Sequence, residues 1–381
     1  MKLIIHDFTE EELQELPTDL SDAVLVGDRG TIKPCIGCFG CWKKTPGKCV
    51  VPDGYDSMGE LIHASDEVIV YSRLTFGGFS GFVKNVFDRC LPYVLPHFEL
   101  VEGESHHKKR YDETKNFTFR FRGGNITDEE KRTAESYVRA VCRNIRGEVK
   151  EISFAGEHPR TREHMGDFEN RGDGILILNV SMRAEKSNSA RLSGALEKKM
   201  LTECDTLYLR DFFRDPDSLI LKMTDYDRII LAMPLYVDGI PSQAIRLMER
   251  IRDTGALTGR SFWLLANMGL YETGQLENML SQVKLFCEST NNAYCGAVAV
   301  GAGELVGGLM DMTDIDSFFL RDISKALDSL AKAADTSSAM SDIYTCPRRF
   351  PRSLYIAIAN SGWKRMARQY GLKEKDLYRQ Y

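Results

Sequence analysis

Residues 66–89 read DEVIVYSRLTFGGFSGFVKNVFDR, and residues 227–250 read DRIILAMPLYVDGIPSQAIRLMER. The second stretch follows the first at a constant offset of 161 residues without a gap, so that Gly78, for example, corresponds to Gly239. Each stretch runs from a short apolar segment, through a glycine-containing loop, into an amphipathic segment. This pattern is typical of a buried parallel strand followed by a crossover helix. The repeat therefore predicts two α/β domains.

Further apolar runs supply the remaining strands of each predicted domain. They lie at 174–181, 205–212, 261–268 and 293–301 in the second half, and at 1–7, 22–28, 67–72, 116–123 and 147–156 in the first half. About five strands per half, with helical segments between them, predict two doubly wound parallel-sheet α/β domains in tandem. The polar, aperiodic segment 157–173 is predicted to be a linker, which gives domains at 1–156 and 174–345 and a helical tail at 346–381.

The composition excludes several classes of protein. Of the 381 residues, 43% are hydrophobic and 28% are charged, which is typical of globular chains and not of disordered ones. Fifty Lys and Arg residues against 55 Asp and Glu residues give a net charge of -5, so an overall basic field for binding nucleic acid is lacking. No apolar stretch approaches the roughly 18 residues of a membrane span, and the first residues do not resemble a signal peptide. We expect a cytoplasmic protein without a transmembrane segment.

A hydroxyl-rich turn follows the first strand of the second half. Ser181 ends the strand, and residues 182–189 read MRAEKSNS before the next predicted helix. The backbone N–H groups of a helix N-terminus, together with serine and asparagine side chains and the helix dipole, can hold a phosphate monoester. The same residue types also form ordinary helix N-caps. Taken alone, the turn does not decide between these interpretations.

Two more loops leave neighbouring strand ends at the same predicted edge of the sheet. They read PLYVDG at 234–239 and NMGLYETG at 267–274. A flat ring could lie against the backbone and apolar side chains of the first loop, although a plain strand-to-helix connection is the alternative. Ligands of doubly wound sheets bind at the carboxyl ends of the strands. The three loops together favour a phosphate-bearing planar ligand without identifying it.

The corresponding turn of the first half has a different character. Its first strand leads into residues 8–12, which read FTEEE and contain no serine or asparagine. Carboxylates in the first turn of a helix already interact with the helix dipole and would repel a phosphate dianion. The first half is therefore predicted not to hold a phosphate by this route.

Four cysteines follow the second strand of the first half. Cys35, Cys38, Cys41 and Cys49 form the pattern C-x2-C-x2-C-x7-C. Several thiolates converging from one compact loop suit an iron–sulfur cubane. Zinc sites more often use two separated C-x2-C pairs, and this sequence has no second pair. The pattern leaves three states open: an iron–sulfur cluster, free or reversibly oxidised thiols, and bound zinc.

The second half resembles a known family. A strand, a serine-rich loop, the motif P-L-Y-x-x-G-x-P-S and a helix ending in Glu-Arg are similar to the flavodoxin-like NADPH-dependent FMN reductases and their relatives, the iron-sulfur flavoproteins. The likeness covers residues 174–310 well and 1–150 partially, as in a tandem fusion of two copies. It implies FMN, with its phosphate near Ser181, Arg183, Ser187, Asn188 and Ser189. It implies an isoalloxazine ring held by Pro234, Leu235, Tyr236, Val237, Asp238, Gly239, Asn267, Gly269 and Tyr271.

The resemblance also implies an activity. It implies a [4Fe-4S] cluster on Cys35, Cys38, Cys41 and Cys49, and NADH or NADPH as the hydride donor. We expect an FMN-dependent NAD(P)H oxidoreductase that passes electrons to a cluster, a protein or a small-molecule acceptor, with no side chain needed as a catalytic acid or base. A non-enzymatic electron carrier and a zinc-stabilised binding module are the alternatives. A tandem copy could place the cysteine loop beside the FMN of the neighbouring domain, and a second copy of the chain is a further candidate partner.

Other features have plainer interpretations. Residues 106–110, HHKKR, could contact a phosphate of NADPH but are predicted to form a solvated charged loop. The glycine-rich residues 301–308 are predicted to line the cleft. The tail at 346–381 carries nine Lys or Arg residues against two acidic ones. It is expected either to pack its aromatic residues on its own domain or a second subunit, or to touch an anionic membrane or a protein partner. The remaining cysteines are predicted to be buried thiols: Cys90, Cys142, Cys204, Cys287, Cys295 and Cys346.

Overall fold

The computed structural model describes residues 1–14, 20–156 and 174–381. The chain divides into two units, one comprising Met1–Arg160 with Ile356–Tyr381 and the other comprising Thr161–Tyr355. The predicted linker at 157–173 lies outside the described residues.

The first unit contains a five-stranded parallel sheet. Its strands are β1 (Lys2–His6), β2 (Ala23–Val26), β3 (Glu67–Arg73), β6 (Asn116–Gly123) and β7 (Glu148–Gly156), in the spatial order β2-β1-β3-β6-β7. Consecutive residues such as Ile4 and Ile5 are both fully buried, so both faces of the sheet are covered. The first strand lies between the second and third, which is the flavodoxin-like order. The predicted strands of this half are confirmed.

Helices connect these strands. They are α1 (Glu10–Gln14), α2 (Gly40–Lys43), α3 (Met58–Ala64), α4 (Gly81–Asp88) and α5 (Asp128–Asn144). Helix α5 begins at Thr127, whose side chain forms a capping box with Glu130. Every residue of α4 is buried. Its polar groups consequently need internal partners, and Lys84 and Asp88 form an ion pair with each other.

An antiparallel hairpin in the first unit was not anticipated from the sequence. It consists of β4 (Val94–Val101) and β5 (Glu104–Lys109). The prediction of a solvated loop at 106–110 is wrong, because His106 and Arg110 are almost fully buried. The ring Nδ1 of His106 lies 2.9 Å from Oδ1 of Asn144, and Arg110 donates to the carbonyl oxygen of Pro92. Internal hydrogen-bond partners thus replace water around these polar groups.

The second unit contains a six-stranded parallel sheet. Its strands are β8 (Gly174–Asn179), β9 (Cys204–Tyr208), β10 (Tyr226–Pro234), β11 (Ser261–Asn267), β12 (Ala293–Val300) and β13 (Ile343–Thr345), in the order β13-β12-β11-β10-β8-β9. The first strand again lies between the second and third. The predicted fold class, two doubly wound parallel-sheet domains, is therefore confirmed, whereas β13 was not predicted.

Helices cover both faces of this sheet. They are α6 (Asn188–Glu197), α7 (Pro216–Met223), α8 (Ser242–Thr254), α9 (Glu277–Ser289), α10 (Gly303–Met310) and α11 (Arg321–Asp335). Side chains of α6, α10 and α11 form one core with alternate strand residues such as Ile177 and Ile230. The intervening strand residues Ile229 and Leu231 are buried as well. Both faces of β10 are consequently apolar, as its continuous hydrophobic sequence requires.

The sequence repeat is also a repeat of conformation. In the first unit Thr75 and Gly78 exchange backbone hydrogen bonds of 3.0 and 2.9 Å, and in the second unit Tyr236 and Gly239, 161 residues later, do the same over 3.2 and 3.1 Å. Leu235 then donates to the carbonyl oxygen of Asn267 over 2.7 Å, as its counterpart in the first unit donates to the next strand. The two units therefore leave their third strands by the same tight turn.

The end of the chain contributes to both units. Helix α12 (Arg352–Arg368) begins in the second unit and continues in the first, which also contains the remaining residues up to Tyr381. Among the described residues, no helix is both long and apolar enough to cross a membrane.

Candidate functional site

Four strand ends lie side by side at one edge of the second unit's sheet. Asn179 of β8 pairs with Ala232 of β10, while Pro234 pairs with Asn267 of β11, which pairs in turn with Val300 of β12. Because parallel strands all end at the same edge, the three predicted ligand loops start from neighbouring positions. The structure thus brings the loops after β8, β10 and β11 together.

The turn after β8 leads into a capped helix start. A single 3-10 turn, Ala184–Lys186, precedes α6, and the hydroxyl of Ser187 accepts a hydrogen bond of 3.0 Å from the N–H of Ala190. Within the described part of the chain, the backbone N–H groups of Met182, Asn188 and Ser189 have no acceptor. Uncompensated amides at a helix N-terminus form an anion-binding site. Ser187 therefore acts as an N-cap and leaves neighbouring donors available.

Asn179, which was not singled out from the sequence, organises the start of this turn. Its side chain is fully buried at the end of β8, and its Oδ1 accepts a hydrogen bond of 2.9 Å from the N–H of Ser181. Its Nδ2 finds no hydrogen-bond partner among the described residues. A buried amide donor without a partner costs free energy, so it marks a position where a ligand or water oxygen would be favourable.

Ser189 and Asn267 join the first and third loops. The Nδ2 of Asn267 donates to the hydroxyl of Ser189 over 2.7 Å and to the carbonyl oxygen of Met233 over 3.2 Å. Both side chains are buried. Predicted ligand residues from two separate loops thus form one hydrogen-bonded unit.

The side chains of Arg183 and Asn188 lie beside α10. Arg183 forms an ion pair of 3.8 Å with Glu304 and is partly exposed. Asn188 packs so tightly against Gly307 that a Cβ atom added there would lie 2.1 Å from its Oδ1. The predicted cleft-lining segment at 301–308 consequently contacts the start of α6, but most of it is helix α10.

The loop after β10 contains strained backbone. Val237 and Asp238 both have positive φ angles, 40° and 58°, in the tight turn closed by Tyr236 and Gly239. Two positive φ angles are the geometry of a type I′ turn, and they are unfavourable for a β-branched residue such as valine. Strain of this kind persists where the surrounding structure holds it and often lies at ligand sites. The carboxylate-bearing Asp238 is nevertheless buried.

The loop after β11 is covered by the segment that follows β13. The hydroxyl of Tyr271 donates to the carbonyl oxygen of Phe350 over 3.0 Å, and burial raises the pKa of Tyr271 to about 12. The hydroxyl of Tyr355 donates to the carbonyl oxygen of Gly269. Tyr271 therefore serves within the protein as a neutral hydrogen-bond donor, and the roles of Gly269 and Tyr271 in holding a ring remain predictions.

The equivalent edge of the first unit is arranged differently. Thr9 and Glu12 bond reciprocally, with the N–H of Thr9 donating to Glu12 Oε2 over 2.7 Å and the N–H of Glu12 donating to Thr9 Oγ1 over 3.3 Å. Glu12 also pairs with Arg73. These contacts give the N–H groups of Thr9 and Glu12 an internal acceptor and place a carboxylate at the helix start. That the first half does not hold a phosphate at this turn stays a prediction.

The four predicted metal ligands lie in one segment of the first unit, the cysteine loop, within which Cys41 belongs to the short helix α2. Cys41 is buried, whereas Cys35, Cys38 and Cys49 are half-buried. Burial is the main cause that raises the pKa of the Cys35 thiol to about 12, and the negative charge of Asp88 and the neighbouring thiols of Cys49 and Cys38 contribute to the same shift. Burial together with the other three sulfurs likewise raises the pKa of Cys41.

The four thiols of the described loop are not arranged as a preformed metal site. Across the described residues, no three His, Cys, Asp or Glu side chains are placed to hold one metal ion. The donor set contains four sulfurs from one compact loop, which is the ligand chemistry of an iron–sulfur cluster. Their assignment as metal ligands remains a prediction. The six other cysteines are free thiols, and all are buried except the half-buried Cys204.

Two features around the cysteine loop were not predicted. Arg89, noted in the sequence only within the repeat, donates from Nε to the sulfur of Cys49 over 3.1 Å. Trp363 of α12 packs edge-on against Trp42, with ring centroids 5.2 Å apart, and against Phe39 at 5.4 Å. The occurrence of arginine at both equivalent positions of the repeat, Arg89 and Arg250, could have drawn attention to Arg89. The aromatic residues of the tail could have drawn attention to Trp363.

Comparisons with known proteins give limited similarity. No protein-family profile matches the chain. An iron-sulfur flavoprotein of Methanocaldococcus jannaschii is 38% identical over 61 residues, which are 16% of this chain and 31% of that protein. The chain therefore matches about a third of the length of this curated relative. The solved structure of the Trp repressor binding protein from Bacillus subtilis aligns with 37% of this chain and 99% of its own, at 15% identity and a TM-score of 0.28, too low to support an inference.

Proposed function

We propose that the protein is a flavin-dependent oxidoreductase that binds FMN at the second unit. The observation that carries this proposal is the set of donors at the start of α6. The N–H groups of Met182, Asn188 and Ser189 lack acceptors within the described residues, and the buried amide of Asn179 has an unpartnered Nδ2. These groups and the positive end of the helix dipole suit a phosphate dianion.

The side chains around this turn would contribute to FMN binding in different ways. Arg183 supplies a positive charge beside the turn, and its present partner Glu304 lies at the long distance of 3.8 Å, so the guanidinium can turn toward a phosphate at small cost. Ser189 and Asn267 fix the two loops relative to each other. The strained turn at Val237 and Asp238 presents backbone to the same edge, where a planar ring would lie. When bound, FMN would supply the redox chemistry, accepting a hydride and releasing electrons.

The first unit would contribute the four thiols. Cys35, Cys38, Cys41 and Cys49 would hold a [4Fe-4S] cluster, which is favoured by the all-sulfur donor set and by the similarity to an iron-sulfur flavoprotein. We further propose NADH or NADPH as the electron donor and a protein or small molecule as the acceptor. In this scheme the residues of the chain bind and orient the cofactors, and no side chain has to act as an acid or base.

Comparing FMN with riboflavin tests the phosphate site. The two ligands differ only in the phosphate, so the wild-type chain should bind FMN more tightly than riboflavin. Arg183→Gln should weaken FMN binding by about tenfold, the scale of one charge-assisted hydrogen bond, and leave riboflavin binding unchanged. Arg250→Gln is the matched control, because Arg250 has similar side-chain exposure, 34% against 38%, and also pairs with a carboxylate. Equal affinities for FMN and riboflavin in the wild-type chain would refute the assignment.

Rapid mixing with NADPH separates the reductase from the electron carrier. Anaerobic mixing of the FMN-loaded chain with NADPH or NADH should bleach the flavin absorption directly if the protein is a reductase. A carrier would keep its oxidised spectrum until a protein donor is added. A purified chain that is colourless and binds neither FMN nor iron would contradict both the reductase and the electron carrier. It would favour the zinc-stabilised binding module.

A further inference from the structure

Arg89 follows α4 and is fully buried with all of its donors in use. Its Nε donates to the sulfur of Cys49 over 3.1 Å. One terminal nitrogen donates to the carbonyl oxygen of Lys33 over 2.9 Å and to Asp53 over 2.8 Å, and the other donates to the carbonyl oxygen of Val51 over 3.0 Å and to Asp53 over 2.9 Å. A guanidinium carries five N–H groups, so every donor has a partner.

These partners lie on both sides of the cysteine loop. Lys33 precedes Cys35, whereas Val51 and Asp53 follow Cys49. Asp53 reinforces the connection, since its carboxylate also accepts a hydrogen bond of 2.8 Å from the N–H of Lys33. The Arg89 guanidinium holds the pKa of the Asp53 carboxyl below its usual range against the opposing effect of burial. Arg89 and Asp53 therefore close the loop 33–53, which contains all four thiols.

The same position in the second unit provides a contrast. Arg250 corresponds to Arg89 at the offset of 161 residues and pairs with Asp217 through Nε and a terminal nitrogen, over 2.8 and 3.0 Å. Arg250 thus directs its Nε to a carboxylate, whereas Arg89 directs its Nε to a sulfur. The two arginines of the repeat therefore have different partners, and the one that bonds to a sulfur lies in the unit that carries the four cysteines.

We propose that Arg89 is a positioning residue of the four-cysteine site, which closes the loop and tunes the redox potential through its hydrogen bond to Cys49. This inference rests on the proposed cluster. Hydrogen bonds to the ligand sulfurs help to set the potential of an iron–sulfur cluster. A buried cationic N–H donor stabilises the more electron-rich, reduced cluster, so Arg89 raises the reduction potential. Lysine cannot replace it, because an ammonium has three donors and lacks the planar fork.

The test uses the full chain, purified without oxygen, in four forms. These are the wild type, Arg89→Lys, the charge-balanced double variant Arg89→Gln with Asp53→Asn, and the matched control Arg250→Lys. The double variant avoids leaving Asp53 buried as an unpaired charge, which could prevent folding. Each form is assayed for iron and sulfide content, for the midpoint potential by spectroelectrochemical titration, and for amide hydrogen exchange of residues 33–53 in the metal-free chain.

We expect both Arg89 variants to shift the cluster potential to more negative values. Exchange in residues 33–53 should accelerate by about tenfold or more, because buried hydrogen bonds that hold the loop closed are lost. Arg250→Lys should change neither quantity. Wild-type potentials in both Arg89 variants would overturn the tuning role, and unchanged exchange would overturn the loop-closing role.

The outcomes separate this inference from the proposed function. If the wild-type chain holds no iron or sulfide, the cluster proposal fails, and the exchange measurement on the metal-free chain still decides whether Arg89 closes the loop. If the variants keep their iron, exchange faster and retain the wild-type potential, Arg89 is a structural clamp and the tuning role is wrong.

Discussion

The side-chain amide of Asn267 donates a hydrogen bond of 2.7 Å to the hydroxyl of Ser189, a residue 78 positions earlier in the chain. Asn267 ends β11 and Ser189 lies in the first turn of α6. Both side chains are buried, so solvent does not compete for the bond. Two loops identified separately as ligand-binding candidates are therefore held as one surface.

Removing this bond should reveal coupling between the two loops. Asn267→Ala and Ser189→Ala should each lower the free energy of unfolding, by about 1–3 kcal/mol for a buried polar group left unpaired. The double variant should lose less free energy of unfolding than the two single variants lose in sum. Urea denaturation should give a coupling energy of about 0.5–3 kcal/mol. Ser193→Ala, a buried serine one turn later whose hydroxyl bonds to its own helix, is the control and should be additive with Asn267→Ala.

Gly307 and its neighbour Gly308 allow a clean test of the α6 start. A Cβ atom at Gly307 would lie 2.1 Å from Oδ1 of Asn188, whereas one at Gly308 meets nothing within 4 Å. Gly307→Ala should displace the Asn188 side chain and weaken FMN binding with little loss of stability, because only a side-chain terminus has to move. Gly308→Ala should bind FMN like the wild type. Isothermal titration with FMN measures both, and equal affinities would show that Asn188 does not form part of the site.

The C-terminal residues should stabilise the first unit. Trp363 is only 8% exposed and packs against Trp42 and Phe39, while Ile358 on the same helix is 50% exposed. Trp363→Ala should lower the free energy of unfolding by about 3–5 kcal/mol, the range for truncating a buried aromatic side chain. Ile358→Ala should change it by about 0.5 kcal/mol or less. Urea unfolding followed by circular dichroism compares them, and similar midpoints would mean that the tail does not stabilise the unit.

The parallel sheets could be predicted because their signals are local. Strands such as β3 and β10 appear as short apolar runs bounded by polar residues, and the internal repeat fixed their connection to α4 and α8. The hairpin β4–β5 has no such signal, because its polar residues find partners far away in the sequence. Arg110, for example, donates to the carbonyl oxygen of Leu377, 267 residues later. Adjacent histidines and basic residues therefore looked like a solvated loop.

The residues of the candidate sites could be predicted where they lie close together in the sequence. The spacing of Cys35, Cys38, Cys41 and Cys49 was sufficient to group the four thiols. The partners of Arg89 lie 36 to 56 residues away and include backbone carbonyls, which no residue type reveals. The partial burial of Tyr271 by the chain after β13 likewise depends on tertiary contacts. The sequence therefore identified the candidate ligand residues, whereas the residues that hold them in place could be identified only from the structure.

The stability of the protein should fall as the medium becomes acidic, partly because of His107. Burial lowers the pKa of His107 to about 4, against a smaller opposing effect of the backbone at Leu95 and Pro96. Since an unfolded histidine titrates near pH 6.5, the unfolded chain binds the extra proton between about pH 6.5 and pH 4. The contribution of His107 is therefore fully present above about pH 6.5 and is lost as the pH falls toward 4, with a slope of up to about 1.4 kcal/mol per pH unit.

His107→Gln removes this titration and should flatten the dependence of the unfolding free energy on pH. The dependence should not vanish, because burial also lowers the pKa of His6 and His97. Urea denaturation of both chains at several pH values between about 7.5 and 4.5 gives the two slopes. His107 lies against Trp42, with ring centroids 4.6 Å apart, so its protonation would place a charge inside the aromatic cluster that Trp42 forms with Phe39 and Trp363. Identical slopes would mean that His107 is protonated in the folded protein at no cost, and that this cluster tolerates a buried charge.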